Sequence, residues 1–127
     1  MNKLFLKTAA LLGALSVMLG AFGAHALKQL LDDNALKIFE TAVRYQFYHV
    51  FALAFAGVLY KESSTKFLYY AGMFFIIGII LFSGSLYMLT YKAAAHIDGL
   101  NWVGPITPVG GLFFVMGWVC LFFSFRK

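Results

Sequence analysis

The chain has 127 residues, 62% of them hydrophobic and 12% charged, with a net charge of +5 and a mean hydropathy of +0.84. A soluble domain is about half apolar and about a quarter charged, and so short a chain cannot hide that excess in a core of its own. A water-soluble globule is therefore excluded, and lipid is the expected solvent. The basic residues punctuate apolar runs instead of clustering on a polar face, which excludes a nucleic-acid partner. The lone Cys120 excludes an intrachain disulfide.

Taken in chain order, four runs reach the roughly 20 apolar residues that a helix needs to cross a bilayer. They predict one all-α integral membrane domain over 1–127, with spans at 4–27, 42–60, 67–90 and 106–125. The runs are apolar nearly all round, whereas barrel strands alternate apolar with polar. The first run follows Lys3 and Lys7 and ends in Ala24-His25-Ala26. A basic start and a small-x-small end also describe a cleaved signal peptide. Three further spans follow, so the run is read as a retained helix.

Asp32-Asp33-Asn34 supplies helix-capping side chains before the second span. The helix after it starts amphipathic, with Leu36, Phe39 and Val43 on one stripe and Lys37, Glu40 and Arg44 on another. This short segment is expected at the interface before the chain dives. "KESSTK" makes a tight turn, and "YKAAAHIDGLNWVGP" a longer one that places Trp102 as an interfacial anchor. Lys3, Lys7, Lys61, Lys66, Arg126 and Lys127 fall on one side, against Lys28, Lys37, Arg44 and Lys92 on the other. The richer side is expected in the cytoplasm, with both termini.

Helices in lipid associate through small residues and hydrogen bonds. Small residues recur here by sevens: Ala9, Ser16 and Gly23; Ala42, His49 and Ala56; Ala71, Gly78 and Ser85; Gly110, Gly117 and Ser124. Gly13, Gly20, Tyr45 and Ala52 are companions to the first two series. A seven-residue period predicts a four-helix transmembrane bundle with left-handed packing. The topology puts His25, Gln46, His49, Ser83, Ser85 and Thr107 in the outer halves of the helices. They are the candidate ligand-binding or polar cluster, because an ionisable residue inside a membrane is a functional hypothesis by default.

His49 has two readings. It is interhelical glue bonded to Ser85 or Tyr45, or it belongs to a relay or ligand site. Two histidines with no intramembrane carboxylate or thiol make too thin a set for a metal, so neither metal nor cofactor is expected. No P-loop, no HExxH and no nucleophile–base pair is present, so an enzyme is not expected.

"GAFGAHAL", "FETAVRYQFYH", "LFSGSLY" and "GPITPVGG" followed by "GW" stand in this order along the chain. In these motifs the sequence resembles the small bacterial inner-membrane family called domain of unknown function 423, the YgdD/YwdK-like proteins. The resemblance covers nearly the whole chain. It implies a four-helix protein of the bacterial cytoplasmic (inner) membrane and supplies no biochemical activity. Besides the polar cluster, its motifs mark Gly20, Gly23, Glu40, Tyr45, Gly84, Tyr87, Pro108, Gly110 and Gly111 as interface or packing residues. The expected function is a non-enzymatic bundle that binds a ligand, lipid or partner through a polar pocket in its outer half. The alternative is a small transporter or channel, which with four helices needs a homo-oligomer or a membrane partner protein.

Overall fold

The computed structural model describes residues 1–125 and is helical, without strands among them. Four helices are long and apolar enough to cross a membrane: α1 (Lys3–Leu30), α2 (Asp33–Leu59), α3 (Lys66–Ala94) and α4 (Ile106–Ser124). Arg126 and Lys127, used in the orientation count, lie outside the described residues.

The first three helices start where a short polar side chain satisfies an orphan amide, while α4 follows Pro105 without a side-chain cap. Asn2 accepts from the Phe5 amide, Asp32 from Ala35 and Thr65 from Leu68. The Asp32 cap makes α2 start earlier than its apolar run. The amphipathic stretch is not a separate interfacial segment but the first turns of one 27-residue helix. Its stripe is buried at Ala35, Phe39 and Val43, and Phe39 and Val43 pack with Leu27 of α1.

The chain runs up and down, so α1, α2, α3 and α4 alternate in direction. One end, here called basal, gathers the start of α1, the end of α2, the start of α3 and the end of α4. The Asn2 amide donates to the Gly57 carbonyl there, and Phe67 meets Phe123. The opposite, distal end carries the α1–α2 and α3–α4 loops. Packing runs chiefly from α1 to α2, α2 to α3 and α3 to α4. The outer members α1 and α4 bury only 17% and 22% of their apolar windows, against 50% for α2.

Every residue of the four seven-residue series is buried. The small positions work as sockets for aromatic knobs. Phe39 of α2 fills the place of a side chain at Gly23, where a Cβ would stand 2.6 Å from its ring. Phe75 of α3 does the same at Gly117 of α4, also at 2.6 Å. Phe5 of α1 seats at Gly72 of α3, and Phe114 of α4 at Gly78 of α3. In lipid such close packing replaces the hydrophobic drive.

Two helices carry a π turn. Gly23–Leu27 interrupts α1 and Ile79–Ser83 interrupts α3. A π turn inserts one extra residue and re-aims the side chains that follow. At the α3 turn, Gly110 of α4 lies directly on the Leu81–Phe82 backbone.

Candidate functional site

The polar residues do not converge at one level. They form separate stations, and each closes on itself. Near the distal end the Ser85 and Thr107 hydroxyls pair at 2.6 Å, joining α3 to α4. The Ser83 hydroxyl, in the π turn of α3, donates to the Ala42 carbonyl of α2 at 2.7 Å. Gln46 holds three helices together. Its amide donates to the Leu12 carbonyl of α1 at 3.0 Å, and its carbonyl accepts from the Tyr87 hydroxyl of α3 at 2.7 Å.

His49 turns to another face, toward α4. Its Nδ1 donates to the Tyr45 carbonyl one turn earlier at 2.7 Å, and its Nε2 accepts from the Trp118 indole N–H at 3.0 Å. A carbonyl can only accept and an indole N–H can only donate. The two contacts therefore specify the Nδ1–H tautomer. The ring lies flat on Phe114, with centroids 3.5 Å apart and planes 7° from parallel. Phe75 and Trp118 approach it from the sides.

At 1.5 Å per residue, His49 stands about 15 Å from the basal end of α2 and Trp118 about 9 Å from that of α4. Thr107 stands about 25 Å along the same axis. His49 thus stands near mid-span, about 10 Å from the Ser85–Thr107 level, and the expected single outer pocket around it does not form. His25 is not brought to His49 either. It sits exposed in the π turn of α1, two residues from Gly23 and Leu27, which take the buried side. Of the two partners expected for His49, Tyr45 is found, through its carbonyl, while Ser85 is taken by Thr107.

Among the motif glycines, Gly23 and Gly110 receive close neighbours, whereas Gly20 and Gly111 meet only ordinary contacts near 3.7–3.8 Å. Gly84 is not a packing glycine: a Cβ there meets nothing within 4 Å, since the π turn just before it points that position into open space. Pro108 and Glu40 are exposed, and Tyr87 is half-buried, packing on Phe39 and donating to Gln46. Trp118 stands in the "GW" motif of the family resemblance but is not among the expected site residues; it follows Gly117, so the indole stands beside a close helix contact.

A groove of about 400 Å³ opens beside these stations between α2 and α4. Tyr45, Tyr48 and His49 form one wall, Phe114 and Trp118 the other, and Phe82 of α3 the floor. Tyr48 and Trp118 are about half exposed, at 53% and 46%, so the groove opens sideways, where lipid would lie. With both nitrogens of His49 engaged, it offers faces of rings rather than charge. No buried side-chain nitrogen or oxygen among the described residues lacks a partner, as burial in lipid requires. No three His, Cys, Asp or Glu residues among them gather as a metal site.

Four spans with an internally satisfied polar set define a polytopic helical membrane protein. The chain matches the family described as "Protein of unknown function (DUF423)" over residues 19–111, and it belongs to that family. A UPF0382 membrane protein of Staphylococcus haemolyticus is 40% identical over 98% of this chain and 97% of its own. One from Haemophilus influenzae is 38% identical over 100% and 97%. The UPF0382 membrane protein YwdK of Bacillus subtilis is 37% identical over 94% and 93%. No solved structure matches the chain. The four motifs that carry the family resemblance are the joints of the bundle: the Gly23 socket, the Gln46 and His49 stations, the π turn of α3 and the Gly110 contact.

Proposed function

We propose that this is a non-enzymatic protein of the bacterial cytoplasmic membrane, with cytoplasmic termini, that binds a flat, lipid-soluble ring compound in the α2–α4 groove. A quinone is the abundant membrane molecule of that chemistry. The observation that carries the reading is the groove itself. Its volume of about 400 Å³ falls in the range of small-molecule sites, roughly 300–1,000 Å³. Aromatic walls favour a stacked ring, and lateral opening lets a ligand arrive from the bilayer. The hydroxyls of Tyr45 and Tyr48 stand at the groove and can donate to ligand carbonyl oxygens.

The test uses Trp118 as the reporter. Trp102→Phe leaves Trp118 as the sole tryptophan, and a short-chain quinone is titrated into the protein in lipid nanodiscs. Saturable quenching is expected. Gly111→Leu should remove the saturable part, because Gly111 lines the groove with nothing nearer than 3.8 Å. Quenching that rises linearly with quinone and ignores Gly111→Leu would sink the proposal.

A further inference from the structure

A second groove, of about 180 Å³, lies between the distal ends of α1 and α2 and is separate from the ring site. Gly20 and Gly23 form its α1 wall, Phe39 and Val43 its apolar floor, and Glu40 and Arg44 its rim. Both charged side chains are exposed, yet neither lies in a loop. Glu40 stands about 28 Å from the basal end of α2 and Arg44 about 22 Å. A hydrocarbon core is about 30 Å thick. Glu40 therefore reaches the headgroup level, and Arg44 lies just beneath it, where a bare guanidinium is costly and needs an anionic partner.

We infer that this groove is a phospholipid site selective for a headgroup with a primary amine, phosphatidylethanolamine in chemistry. The phosphate lies at the inner edge of the headgroup, where the Arg44 guanidinium can donate a fork of N–H groups to its oxygens. The ammonium is further out, where the Glu40 carboxylate accepts. One helical turn sets the two side chains roughly 5–6 Å apart at Cβ, a spacing that matches the short ethanolamine link between phosphate and amine. A choline headgroup has no N–H to give Glu40. Below the pair, Phe39 and Val43 give the groove an apolar lining on which the first part of an acyl chain can lie. Charge order, depth and an apolar floor thus agree on one occupant.

The protein is placed in nanodiscs of equal parts phosphatidylethanolamine and phosphatidylcholine, and the lipids it retains on release into detergent are counted by native mass spectrometry. The wild type should retain the ethanolamine lipid about fivefold over the choline lipid, the ratio of a modest charge-assisted bond. Glu40→Gln should abolish that preference while keeping retention. Arg44→Gln should lower retention of both lipids by roughly tenfold. The exchanged variant Glu40→Arg with Arg44→Glu keeps both charges one turn apart but inverts their order, and it should lose retention while its helical circular dichroism stays intact. Equal retention of the two lipids by the wild type, or wild-type retention by the exchanged variant, would overturn the inference and leave Glu40 and Arg44 as exposed charges on α2.

Discussion

His49 shows how a titratable ring is accommodated in a bundle that lipid surrounds. Its two nitrogens face one acceptor and one donor, Tyr45 and Trp118, and its face is covered by Phe114. Removing either partner strands a buried polar atom. Trp118→Phe keeps a ring at the position but deletes the N–H, and should destabilise the bundle by about 1 kcal/mol, within the range measured for interhelical bonds in membranes. Reversible unfolding in mixed micelles reads the change. Gln46→Leu removes one partner each from Tyr87 and the Leu12 carbonyl, and should cost more, about 1–3 kcal/mol. Residue type and depth made His49 and Gln46 recognisable in the sequence. Tyr45 was recognisable as a partner of His49, but Trp118 was not, because an indole in an apolar run carries no sign of whether it faces lipid or a neighbour.

Contact between helices depends on which glycines face a backbone. Gly110 lies against the Leu81–Phe82 main chain, which cannot rotate aside, whereas a Cβ on Gly84 enters empty space. Gly110→Ala should separate α3 from α4 and weaken the Ser85–Thr107 pair, with a loss of at least about 1–3 kcal/mol, typical of overpacking. Gly84→Ala should be neutral or slightly stabilising, since alanine is the better helix former. Thermal melting in one detergent compares the two. The seven-residue recurrence was legible because helices in lipid approach only where side chains are small. The π turns were not, since an inserted residue within Ile79–Ser83 or Gly23–Leu27 leaves no mark on composition. The helix α2 is longer than its 42–60 apolar run for a different reason. Apolar run length measures the hydrocarbon crossing, while the Asp32 cap decides where the helix begins.

For the whole molecule, the number of helices and their alternating direction follow from span length and from the short loops between them. The order of packing does not, because it depends on which knob meets which socket. The proposed orientation puts Lys61 in the cytoplasm and Asp98 outside. Single cysteines at these two positions, in a Cys120→Ala background, should differ: only Asp98→Cys should react with an impermeant maleimide in intact cells. Labelling of Lys61→Cys alone would reverse the orientation, and labelling of both would break it. The seat of Phe5 at Gly72 of α3, beside Tyr60 and Tyr69, reaches from the first turn of α1 to the first half of α3. During synthesis that seat does not exist until the third span has left the ribosome and entered the bilayer. The earliest residues made are thus among the last to lock, and a nascent chain arrested before α3 should hold α1 loosely, open to chaperones and membrane proteases.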